Sequence, residues 1–131
     1  MAQKQFGLAR RQRIRSRTDF DRVFREGRRL SEDEVLARYV PNGRPFTRMA
    51  VAVPGRLGNA AKRNRTRRTL KEAYRLHQHE MPPGIDIIFL PGRAWKSPPL
   101  GELEAAMKKI AARLAQQRSG AHRQRGDTQI S

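Results

Sequence analysis

The hydrophobic positions of this chain move from helical spacing to strand spacing and back, and each change marks an element. Phe20, Val23 and Phe24 recur at i, i+3, i+4 ahead of Gly27, the spacing of a short helix with one apolar stripe. Thr18 is placed to cap that helix, with Asp21 three residues on as an acidic capping-box partner. Residues 35–40 and 46–53 lean toward β structure. Pro41-Asn42-Gly43-Arg44-Pro45 between them has hairpin-turn chemistry, which predicts an antiparallel pair. Ile85-Asp86-Ile87-Ile88-Phe89-Leu90 is nearly unbroken in its apolarity and suits a central strand buried on both faces. Ser97-Pro98 has an N-cap and first-turn signature, and Leu100, Leu103, Met107, Ile110 and Leu114 then recur as the stripe of a packing helix.

One helical stretch is patterned the other way, with more charge than core. Gly58-Asn59 supplies a turn and an N-cap, so a helix is expected from about Ala60 to about His79, ended by Pro82-Pro83-Gly84. At about 100° per residue, Thr66, Leu70, Ala73 and His77 gather on one face, and Asn64, Arg67, Arg68, Lys71 and Arg75 spread over the other. Only the first face can enter a core. Glu72 is spaced to pair with Arg68, which offsets little of the repulsion. Arg56 sits in the loop just before the helix, where free N–H groups already favour anions. The order is helix, strands, basic helix, strand, helix. That is a βαβ crossover in a sheet with helices mainly on one side and an open surface on the other.

Charge sharpens this picture. The chain has 131 residues with 29 Lys and Arg against 12 Asp and Glu, a net charge of +17 and a pI near 11.7. Such an excess calls for a polyanion, and nucleic acid fits best. A membrane surface is the competing polyanion, but the basic helix lacks the bulky apolar face of an interfacial helix. No run reaches the length of a membrane span, the N-terminus has no apolar segment of an export signal, and there is no cysteine. A cytoplasmic protein is the simplest fit. The chain divides into a basic N-terminal arm over residues 1–17, a folded domain over 18–115, and a polar C-terminal tail over 116–131 expected to be disordered.

A solvated face is the bland explanation of any charged helix. Here the charge is almost wholly arginine, whose planar fork matches phosphate oxygens, and Asn64 adds an amide that can both donate and accept. A helix-turn-helix DNA reader would need paired short helices; a basic helix between strands suits RNA recognised by shape. Catalytic chemistry is thin. His77, His79 and His122 have no partner at a useful spacing, and no G-x-S-x-G elbow or nucleotide-binding loop is present. Glu32-Asp33-Glu34 cannot converge on one metal ion from alternating strand positions, so no metal ligands and no catalytic residues are assigned. The polypeptide is expected to bind and position.

The block Gly58-Asn59-Ala60-Ala61-Lys62-Arg63-Asn64-Arg65-Thr66-Arg67-Arg68-Thr69-Leu70-Lys71-Glu72-Ala73-Tyr74 resembles the signature of the protein subunit of bacterial ribonuclease P. Residues 18–27 resemble that family's first helix and residues 84–91 its final strand, so the likeness spans roughly residues 14–114. The resemblance implies a two-layer α/β sandwich of αβββαβα order with a central mixed sheet, a left-handed crossover carrying the basic helix, and a short extra strand near residues 28–30. It also implies partners and chemistry, a catalytic RNA subunit that works with magnesium and precursor tRNA as substrate; no protein partner is implied. Arg63, Asn64, Arg65, Arg67, Arg68 and Lys71 match family positions on the catalytic RNA; Arg56 is the one basic residue carried over from the preceding loop. Lys62 and Arg75 complete the expected RNA-binding set. Phe20 and Phe24 match aromatic positions lining a cleft for the single-stranded 5′ leader. A cleft tyrosine of some members falls at Arg38 or Tyr39. The competing classes are a ribosomal or RNA-assembly protein with no part in cleavage and, less in keeping with the residues, a protein-only nuclease.

Overall fold

The computed structural model describes residues 9–130, with side chains through Gln117. Its elements are α1 (Arg17–Glu26), β1 (Arg28–Glu32), β2 (Val35–Pro41), β3 (Arg48–Val51), α2 (Ala60–His77), β4 (Ile85–Pro91) and α3 (Leu100–Ile130). This is the expected αβββαβα order, with the extra strand as β1. Helix α1 is capped two residues earlier than the sequence suggests. Ser16 rather than Thr18 is the N-cap, its hydroxyl accepting from the Asp19 N–H at 3.3 Å. The chain must turn there because Ile14, two residues before, is already buried on the sheet. At the other end of α1 only glycine fits: a Cβ on Gly27 would lie 2.2 Å from the Val23 carbonyl oxygen.

The sheet runs β1-β2-β4-β3, and this corrects the expected pairing of β2 with β3. Strand β4 lies between them, antiparallel to β2 and parallel to β3. A strand apolar on both faces needs neighbours on both edges, so β4 takes the slot that a local hairpin would have closed. The segment 42–47 instead wraps the start of β4. The Asn42 N–H donates to the Gly84 carbonyl at 2.9 Å, and the Thr47 hydroxyl to the Pro82 carbonyl at 2.6 Å. The true hairpin joins β1 to β2 through Asp33, which takes a left-handed conformation with φ 54°. The acidic run that forms this turn is held by ion pairs. Arg113 pairs with Glu32 at 2.8 Å and Lys109 with Asp33 at 3.3 Å, tying the turn to α3.

Alternation along the strands separates two cores. Val35, Ala37, Tyr39, Met49, Ile85, Ile87 and Phe89 face α2 and α3 and build the larger one. The opposite face carries Ile88 with Ile14 and Val23, flanked by half-buried Phe20, Phe24, Val40, Ala50, Ala52 and Leu90. That face is therefore not bare, because α1 and the residues leading into it cover part of it. The Ile14 N–H bonds to the Met49 carbonyl at 2.9 Å, and Arg13 forms a parallel bridge with Met49. The last residues of the expected basic arm are thus docked along β3 rather than loose; residues 1–8 lie outside the described residues. Helix α3 begins at Leu100, after a left-handed Ser97, instead of at Ser97-Pro98. Its backbone is helical to Ile130, past the boundary at 116 expected for a disordered tail, and among the described side chains its buried stripe runs to Leu114.

Candidate nucleic-acid interface

Helix α2 owes its orientation to its one apolar seam. Thr66, Leu70, Ala73, Tyr74 and His77 are buried against the larger core. The Asn59 side chain accepts from the Lys62 N–H at 2.9 Å, fixing where the first turn begins. The opposite face is then committed to solvent. Arg56, Lys62, Asn64, Arg65 and Arg68 are exposed, and Arg63, Arg67, Lys71 and Arg75 are half-buried. Ala61, Asn64, Arg65, Arg67 and Arg68 line a shallow open depression. In it Arg67 donates to the Asn64 amide oxygen at 2.7 Å, which leaves the amide NH2 pointing away from that bond as a donor. Arg63 lies against the 3-10 turn Gly55–Leu57 that carries Arg56, so the loop cation and the helix cations form one surface.

The expected site residues are not equivalent in charge. Glu72 pairs with Arg75, not Arg68, through two bonds of 2.9 and 2.6 Å. That hydrogen bond holds the Glu72 carboxyl below its ordinary range, against a smaller effect of burial. Arg75 thus arrives already neutralised, and the electropositive run is densest from Arg56 to Lys71.

Phe20 and Phe24 sit on the other side of the sheet. Their ring centroids are 5.3 Å apart, and the Arg38 guanidinium lies 5.8 Å from the Phe24 centroid. Arg38 also donates to the Phe24 carbonyl. The register of β2 separates the two candidates for the strand position. Tyr39 points into the larger core, with its hydroxyl bonded to Gln117, and Arg38 faces the Phe20–Phe24 side. The floor continues in rows across the sheet, Arg38 beside Ile88 and Ala50, then half-buried Leu36 beside Leu90.

A buried polar group that the sequence did not single out lies under α1. Asp86 has no exposed surface and takes bonds from Arg48 at 2.9 and 2.6 Å and from Asn42 at 2.9 Å. Burial alone would raise its pKa, but the hydrogen bonds from Arg48 and Asn42 outweigh it and leave the carboxyl below its ordinary range. The one signal was an acid inside an otherwise apolar run. His77 is likewise structural. Its Nδ1 is 2.7 Å from Glu80 and its Nε2 2.9 Å from Glu104 on α3. Burial pulls its pKa down, and the two carboxylates more than reverse this, leaving it raised. Among the described residues no three His, Asp or Glu side chains gather as metal ligands, and no helix is long and apolar enough to cross a membrane.

An arginine-rich helix displayed on one face of a small mixed sheet, with an aromatic cleft on the other, defines an RNA-binding α/β protein. Comparison with known proteins narrows the class. The ribonuclease P family matches residues 8–115. A ribonuclease P protein component of Roseiflexus sp. (strain RS-1) is 34% identical over 113 residues, covering 86% of this chain and 89% of that protein. The solved RNase P protein of Thermotoga maritima superposes with a TM-score of 0.69 at 25% identity, over 77% of this chain and 96% of the other. The Staphylococcus aureus RNase P protein shares the fold, with a TM-score of 0.66 at 22% identity over 79% and 94% of the two chains. The chain belongs to the ribonuclease P protein family, and so to a tRNA-processing ribonucleoprotein.

Proposed function

We propose that this chain is the accessory subunit of a cytoplasmic ribonucleoprotein whose RNA, with Mg²⁺, performs the cut that frees the 5′ leader from precursor tRNA. Arg56, Lys62, Arg63, Asn64, Arg65, Arg67, Arg68 and Lys71 dock on the catalytic RNA, with Arg75 at the edge of that contact. Phe20 and Phe24 stack on bases of the leader. The observation that carries the proposal is the separation of these two surfaces by one sheet, which lets the protein grip the catalyst and the substrate at once. A ribosomal or assembly protein would need the basic face but gives no reason for the aromatic cleft.

Reconstitution tests this directly. Added to a bacterial ribonuclease P RNA at low Mg²⁺, the protein should stimulate accurate 5′ cleavage of precursor tRNA. With six to ten phosphate contacts its affinity for that RNA should fall about 10³–10⁵-fold between roughly 50 and 200 mM salt. Cleavage by the protein without RNA, or no stimulation across a salt and Mg²⁺ series, would overturn the proposal.

A further inference from the structure

Helix α1 presents the leader-facing rings, yet its apolar contacts do little to hold it in one orientation. Val23 is its only buried residue, and Phe20 and Phe24 are half-buried. Apolar contact of that kind tolerates rotation, because it has no direction. Directional contacts come from Arg38, which donates to the Phe24 carbonyl in the last turn, and from the charged group beneath the first turns. Arg48 on β3 grips Asp86 on β4 through two bonds, and the same Nη2 reaches the Asp19 carboxylate on α1 at 3.2 Å. From α1 in turn, Arg22 Nη2 lies 3.6 Å from Asp86. Asp19 immediately precedes Phe20, and Arg22 stands two residues before Phe24. Two acids and two guanidinium groups balance one another, so the group can be buried without a net charge.

We infer that this charge lock, centred on Asp86, is a positioning device for the leader site: it fixes the rotation of α1 and so the tilt of the Phe20 and Phe24 rings over the cleft. The inference rests on the leader-binding reading above. A buried ion pair adds little net stability over apolar filling of the same volume, but it accepts only one geometry, and removing one partner leaves the other stranded. A merely stabilising role would need neither the contact from Asp19 nor that from Arg22. The lock residues act through the rings and do not touch RNA themselves.

The test uses the holoenzyme, reconstituted with a bacterial ribonuclease P RNA, and compares affinity for precursor and mature tRNA. Asp86→Asn should lower the preference for precursor about tenfold, on the scale of one lost base stack. Asp19→Asn keeps the Arg48–Asp86 pair, so it folds even if Asp86→Asn does not; it should lower the preference about threefold, a partial loss of the same stacking. In a Phe20→Ala background Asp19→Asn should add nothing further, since its effect runs through the ring. Equal loss for both tRNAs, no loss for either, or full additivity with Phe20→Ala each overturns the lock. Phe20→Ala alone separates the two levels: if it leaves the preference intact, the leader reading itself fails, whereas its success beside an inert Asp19→Asn removes only the lock.

Discussion

On the proposed function, the two faces of the sheet recognise by opposite means. On one side a single helix, with Arg56 in the turn before it, carries the surface, its cations set by one apolar seam and their effect summed over many phosphates. On the other, the cleft is assembled from α1, β2, β3 and β4, and a few rings and a buried ion group define it. The first kind of surface tolerates the loss of any one member and depends on salt. The second depends on angle, and a small displacement can disable it without changing the protein's charge.

The difference between the faces can be broken apart by substitution. The largest effect is expected on the basic face: replacing both Arg65 and Arg68 with Ala should weaken assembly with the RNA about 10²–10⁴-fold, at roughly 1.5–3 kcal/mol per bond to a charged group. The slope of log affinity against log salt should shrink by about two. Filter binding over a salt series measures both, and an unchanged slope would mean that these guanidinium groups face no phosphate. On the cleft face, Phe20→Ala should leave that slope alone and lower the preference for precursor over mature tRNA by about tenfold. If instead precursor and mature affinities drop together, the two faces are not separate in function.

The smallest effect concerns neither surface but the joint between α2 and α3. His77 has a folded pKa above its ordinary 6.5 because Glu80 and Glu104 outweigh burial. Its contribution is therefore complete below about pH 6.5 and is lost as pH rises through the folded value. Thermal melts from about pH 6 to pH 9 should show a modest fall in Tm that a His77→Asn variant lacks. Parallel pH profiles would remove the charge from this joint.

What the sequence made legible follows from how local each feature is. The cap at Asn59, the buried seam of Thr66, Leu70, Ala73 and His77, and the two-sided burial of β4 all depend on neighbours within a turn or on continuous apolarity, and all were readable. The exposed run from Arg56 to Lys71 followed from that seam. The pairing of β2 with β4 rather than β3 was not readable, because turn chemistry at 41–45 describes a bend and says nothing of which strand fills the gap. Arg48 and Asp86 lie 38 positions apart, and only that strand order makes them partners. The same holds for Arg38, whose side of the sheet was open until its register with Ile88 was fixed. The family resemblance supplied the roles of Phe20 and Phe24, which periodicity alone reads as core.

The bond from Ile14 to Met49 has a consequence for the protein in isolation. An open sheet border offers unpaired amides to any neighbouring molecule and invites polymerisation. Here one border is occupied at Met49 by the chain's own leading segment, and the other, β1, is short and bears exposed Arg28 and Arg29. Copies crowded together before any nucleic acid is at hand meet a partly covered edge on one flank and mutual repulsion on the other.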